Sequence, residues 1–197
     1  MSLLNVADGN TPLTPEELAD LIPNLATKEE LNEWERENIL EARRWALSDR
    51  NVKTLDPIAD DYIRKLHLRM FDQTWKWAGT YRTTEKNIGV PVDQMREKLV
   101  VLLGDVQYWI EKGTHSPDEI AIRFHHRLVS IHLFPNGNGR HARLIADILA
   151  VRLGRPAFTW GQEEDLIKPR EAREKYLQVL RTADNGDIKP LLGFARS

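Results

Sequence analysis

The 197-residue chain contains no cysteine. That excludes disulfides, a thiolate zinc centre and a cysteine nucleophile. No apolar run approaches the ~18 residues of a membrane-crossing helix, and the N-terminus lacks the charged-then-apolar pattern of a secretion signal. The expectation is a cytoplasmic protein with no membrane partner. A dominant charge sign is missing as well: 28 Lys and Arg against 30 Asp and Glu leave a net charge of −2. No nucleic-acid partner is expected, because such binders usually carry a strong basic excess. What the chain does have is 41% apolar residues, 29% charged residues and six Trp. At this length roughly 70% of the unfolded chain's surface is buried on folding, enough for a real core.

Helix start signals recur along the sequence. Thr14-Pro15-Glu16-Glu17 and Thr27-Lys28-Glu29-Glu30 read as capping boxes, the first stopped at Pro23 and the second running to about Leu47. The face of that second helix reads Leu31, Trp34, Asn38, Ala42 and Trp45. Asp56-Pro57 predicts a third start, Asp93 caps a helix to about Lys112 with Met95, Leu99, Leu102, Leu103, Val106 and Ile110 on its stripe, and Ser116-Pro117-Asp118-Glu119 opens another to about Ile131. Further helices are expected over about 138–153 and from Pro169 to about Thr182, with a short closing segment at 190–194. Between Gly79 and Val92 the residues are β-leaning and broken by Gly89 and Pro91, which predicts a short β-hairpin. The fold class is mainly α with one small hairpin. Residues 1–50 read as a helical prefix packed on a catalytic unit spanning 51–197.

The stretch that carries chemistry is Ile131-His132-Leu133-Phe134-Pro135-Asn136-Gly137-Asn138-Gly139-Arg140-His141-Ala142-Arg143. It is a Gly-rich loop entering a helix N-terminus, where free N–H groups and about half a positive charge suit an anion. Gly137 and Gly139 allow close backbone approach. Arg140 and Arg143 are three apart and share a helix face, so two guanidinium forks point to a polyphosphate. His132, just before the loop, is placed to take a proton near neutral pH. The spacing does not match the GxxxxGK[ST] phosphate loop. His67, His125 and His126 read as packing or surface residues, and Arg82 and Lys86 as charges flanking the hairpin that either contact a target or phosphate or are solvated.

His132 to Arg140 resembles the HxFx[D/E]GNGR signature of the Fic (Fic/Doc) family, extended by Arg143 into GNGRxxR. Trp77-Ala78-Gly79, Tyr81 and Arg82 resemble the WAG-x-YR segment before that family's target-docking flap. Tyr176 to Asp187 and Leu191 to Phe194 resemble its last helices. Asp8 to Leu13 and Glu33 to Ile39 resemble a subgroup called mobile mystery protein B. The resemblance implies a Fic-type helical bundle that transfers AMP from ATP onto a Ser, Thr or Tyr hydroxyl of a protein partner. It makes His132 the general base, with Gly137, Asn138 and Gly139 forming the anion hole. Arg140 and Arg143 bind the distal phosphates, and Phe134 anchors the loop. The flap, with Thr84, Asn87, Ile88 and Gly89, would dock the target by strand addition.

Two departures accompany the resemblance. Asn136 stands where the family carries the Asp or Glu that holds Mg²⁺, so metal would rest on a neutral amide, the nucleotide and water. The family's inhibitory helix motif, [S/T]xxxE[G/N], is matched at its end by Glu37-Asn38, with Glu33 in place of Ser or Thr. The expectation is that Glu37 pairs with Arg143 and denies it to the γ-phosphate. The alternatives are a Fic-fold nucleotide- or protein-binding module without transfer, or a phosphotransferase of the Doc type. Whether the chain forms a homo-oligomer is left open.

Overall fold

The computed structural model describes residues 11–161 and 169–197. Among them the regular elements are α1 (Pro15–Ala19), α2 (Lys28–Ala46), α3 (Asp49–Thr54), α4 (Asp60–Phe71), α5 (Met95–Lys112), α6 (Pro117–Ile131), α7 (Asn138–Arg152), α8 (Pro169–Asp184) and α9 (Lys189–Arg196). Both predicted capping boxes are formed, Thr14 with Glu17 and Thr27 with Glu30. Ser116 caps α6 through the Glu119 N–H. The third start lies elsewhere: the Asp56 carboxylate accepts from Ile58 N–H, a local turn, and α4 begins at Asp60 without a side-chain cap. The short α3, started by Ser48, was not expected because it has no apolar stripe of its own.

The antiparallel pair α6–α7 forms the centre. α4 and α2 stack on one side, α5 covers α6, and α8 and α9 pack together, with α9 also against α6. Ile63, Leu66, Phe71, Phe124, Leu128, Phe134, Ile145 and Ile148 are buried in one continuous core, to which α2 contributes Ala42 and Ala46. Each large apolar side chain so buried is worth about 1.5–3 kcal/mol. The α5 stripe matches its reading, with Met95, Leu99, Leu102 and Val106 buried.

The α2 face is rotated from the expected one. Glu35, Asn38, Ala42 and Ala46 are buried, while Trp34 is 45% exposed. Polar residues can take interior positions when every group finds a partner. Asn38 bonds the Arg69 carbonyl, the Asp72 carboxylate and the Gln73 N–H, stitching α2 to the end of α4.

The predicted hairpin is not formed. Among the described residues no strand ladder occurs, and 80–91 is an irregular loop. Its two ends are tied to the segment before the Gly-rich loop: Arg82 N–H donates to Leu133 O at 2.9 Å and Val90 N–H to Ile131 O at 3.4 Å. The reason is Arg82. Its buried guanidinium bonds the carbonyls of His132, Thr84 and Val90, so one side chain does the work that cross-strand backbone pairs would do.

Candidate functional site

His132 ends α6 in the left-handed region, at φ 59°. A non-glycine residue there carries strain and needs neighbours that hold it. Here its N–H donates to Leu128 O, and its carbonyl accepts from Arg82 Nε at 2.6 Å. The side chain is thereby turned under the flap, where Gly89 passes so closely that a Cβ on it would sit 2.6 Å from His132 Cβ. Gly89 itself has φ 105°, which only glycine adopts freely. Burial, and then the Arg82 charge, push the His132 pKa down to about 4; Lys86 adds to that and the Val129 carbonyl opposes it. The imidazole is therefore neutral at neutral pH and can accept a proton.

The loop after His132 is pinned from inside. Phe134 is fully buried and stacks on His67 at 3.7 Å. His67 accepts the Gly79 N–H on Nδ1, which leaves Nε2 to donate to Asn136 O. Asn138, expected to serve the nucleotide, spends its side chain on the loop: Oδ1 accepts from Phe134 N–H and Nδ2 donates to Phe134 O. What it offers outward is its backbone N–H. Gly137 caps α7 at φ 78°, and a Cβ there would strike the Phe71 ring at 2.6 Å. The first helical bond of α7 runs from His141 N–H to Gly137 O. The N–H groups of Asn138, Gly139 and Arg140 therefore precede any intrahelical partner and form a cup of donors of the kind that suits an anion. A Cβ on Gly139 would meet nothing closer than the Tyr176 hydroxyl at 3.9 Å, so glycine leaves the cup open rather than relieving a clash.

Arg140 and Arg143 lie on this first part of α7 with different surroundings. Arg140 Nη1 is 2.5 Å from Glu35 Oε2, and its guanidinium lies over Phe71. Arg143 lies over the Tyr176 ring at 5.2 Å. The expected Glu37–Arg143 pair is absent: Glu37 points to solvent. Successive helix positions are about 100° apart, so Glu37 lies a quarter-turn from Asn38, whereas Glu35 is its i−3 neighbour on the same face. The buried carboxylate of α2 is Glu35, 4% exposed, with its second oxygen taking the Trp75 Nε1–H at 2.8 Å.

Asn136 does not fit a magnesium site as arranged. Its Oδ1 accepts the Gly137 N–H at 2.6 Å, and its Nδ2, a donor, faces the Thr11 carbonyl. Among the described residues no cluster of three or more His, Asp or Glu could hold a metal.

At the flap, Asn87, Ile88 and Gly89 are exposed, and Thr84 donates to Glu17 Oε1. Sequence reading missed the roles of Arg82, Glu35 and Thr11. Arg82 reads from sequence as either a solvated charge or a contact to a target or phosphate, whereas the structure buries it after the Trp77-Ala78-Gly79 turn. Thr11 Oγ1 lies 2.9 Å from His132 Nε2, a contact across 121 positions that no local pattern foretells. Asp8 to Asn10 of the N-terminal resemblance lie outside the described residues.

Residues 57–150 match the family model described as Fic/DOC family. A protein adenylyltransferase Fic from Drosophila virilis is 32% identical over 119 residues, covering 59% of this chain and 23% of that protein. The protein adenylyltransferase fic-1 of Caenorhabditis elegans is 32% identical over 146 residues, covering 72% of this chain and 27% of that protein. The chain thus spans about a quarter of the length of these curated relatives. The solved structure of a Fic-1 fragment from C. elegans superposes with TM-score 0.65 at 26% identity, over 92% of this chain and 52% of that one. The BepC protein of Bartonella tribocorum, solved with bound AMPPNP, gives TM-score 0.66 at 16% identity, over 93% of this chain and 97% of that one, a likeness of fold.

Proposed function

We propose that the chain, which matches the Fic/DOC family model over residues 57–150, is a Fic-type protein adenylyltransferase, moving AMP from ATP to a hydroxyl side chain of a protein. The observation that carries this reading is His132: neutral, held by Arg82, and already in contact with a threonine hydroxyl beside the open N-terminus of α7. In the proposed reaction Nε2 takes the hydroxyl proton as the oxygen attacks the α-phosphorus, and pyrophosphate leaves. The α7 N–H groups and the two arginines neutralise the charge that develops on the phosphates, and most of the acceleration comes from positioning and fixed charge. Exposed Asn87, Ile88 and Gly89 offer backbone to an extended target segment. Among the described residues no helix is long and apolar enough to cross a membrane.

The prefix is proposed to restrain this reaction. Glu35 competes with the phosphates for Arg140, through a short charge-assisted contact and from a position fixed by Trp75. Glu35→Gln keeps an acceptor for Trp75 and removes the charge. It is expected to raise label incorporation severalfold over wild type.

The test of the transfer itself is incubation with ATP labelled at the α-phosphate. His132→Ala should lose label by ~10²–10⁴-fold, the usual cost of a missing general base, while still binding nucleotide. Equal labelling would remove His132 from the mechanism. Asn136, which supplies no carboxylate, leaves two other readings, a phosphotransferase or a silent nucleotide binder. Label at the γ-phosphate would identify the first, and binding without label the second.

A further inference from the structure

We propose that Thr11 is an acceptor of the chain's own reaction, modified within the same molecule on its hydroxyl. The proposal rests on the transfer reading above and adds the identity of one substrate residue. It begins with the way the segment is seated. Thr11 precedes Pro12, and a residue before proline is held extended. Its Oγ1 lies 2.9 Å from His132 Nε2. Its carbonyl accepts from Asn136 Nδ2 at 3.2 Å, so the main chain beside the hydroxyl is fixed to the Gly-rich loop. One residue on, the Pro12 carbonyl accepts from Lys86 Nζ at 3.1 Å. Lys86 also pairs with Glu17, whose other oxygen takes the Thr84 hydroxyl. Trp77 Nε1 donates to the Glu17 carbonyl.

The segment is therefore gripped from the loop on one side and from the flap on the other, with a hydroxyl delivered to the base between them. A segment that merely packed here would need its apolar Leu13 and Leu18, which do contact the core. It would not need a hydroxyl on Nε2. With the ring proton on Nδ1, Nε2 is the acceptor for the Thr11 proton. As that proton moves, the Oγ1 electron pair forms a bond to the α-phosphorus of ATP. The bond from that phosphorus to the α,β-bridging oxygen breaks, and pyrophosphate leaves with its electron pair. Thr11 is left as a phosphodiester of AMP, and the proton on Nε2 passes to water.

The experiment uses the full chain with α-labelled ATP, followed by intact mass and peptide mapping. It compares wild type, Glu35→Gln, Thr11→Val, Thr11→Ser and His132→Ala, and a mixture of wild type with a tagged His132→Ala chain. A lysate is added in parallel as a source of other hydroxyl substrates. The expected result is one adenylyl group on the peptide containing Thr11 in wild type, and more of it in Glu35→Gln. Thr11→Ser should retain the label and Thr11→Val should lose it, and the tagged His132→Ala chain should stay unlabelled in the mixture. His132-dependent label on lysate proteins or on other residues of this chain, with Thr11 unmodified, overturns this proposal and leaves the transfer reading standing. Label on the tagged inactive chain overturns the intramolecular geometry. No label on any protein, Glu35→Gln included, overturns both.

Discussion

At the residue scale the Gly-rich loop depends on side chains spent on holding its own backbone. Asn138 sits inside the signature, yet both of its polar groups close on the backbone of Phe134. Its replacement by Ala would leave a buried N–H and a buried C=O without partners. That should cost on the order of 2 kcal/mol, read as a lower urea midpoint. The loop it holds would shift relative to His132, and label incorporation should drop by up to about 10²-fold. Asn136→Asp makes the complementary point. It replaces the Nδ2 donor facing the Thr11 carbonyl with an oxygen, so the N-terminal segment should loosen, seen as faster hydrogen exchange around residues 11–14. The motif residues were legible because their spacing is specific. Glu35 was not, since a carboxylate in the acidic run Glu33, Glu35, Glu37 looks solvated until its i+3 neighbour Asn38 is known to be buried.

At the element scale the prefix and the flap were read as pieces and their attachments were missed. Capping boxes are local, so α1 and α2 could be placed from Thr14 and Thr27. The flap could not be read correctly, because β-leaning residues pair only if a ladder partner exists, and here Arg82 takes the carbonyls instead. Arg82→Lys keeps the charge and loses the fork. One ammonium cannot reach carbonyls of His132, Thr84 and Val90 in the geometry a planar guanidinium offers. The expected outcome is faster hydrogen exchange over residues 83–90 and a fall in transfer, with α5 and α7 still protected. Unchanged protection of the flap would mean that its two backbone bonds to Leu133 and Ile131 suffice.

At the scale of the whole molecule, the helical bundle was legible because apolar periodicity and caps agree, most clearly along α5 and α6. The tertiary role of the histidines was not, since a sequence does not say which imidazoles lose water. Four of the six are buried: His67, His125, His132 and His141. Burial is the first cause in every case, pushing His125 down to about 3, His132 and His141 to about 4, and His67 well below its ordinary range. In the unfolded chain each titrates near 6.5. Between those values the unfolded state holds the proton and the native state does not, so stability rises with pH and is lost as pH falls below about 6.5. Each such group contributes up to about 1.4 kcal/mol per pH unit, and the four together about 5.5, against a total of ~5–15 kcal/mol for a domain. Asp147, whose pKa burial raises, works in the opposite direction, but it is one group against four. Urea unfolding between about pH 7 and pH 5 should therefore show a drop of several kcal/mol. His132→Ala removes one of the four groups and should flatten that slope by about a quarter. An unchanged slope in that variant would show that His132 takes up its proton over the same pH range folded and unfolded, so that burial does not depress its pKa.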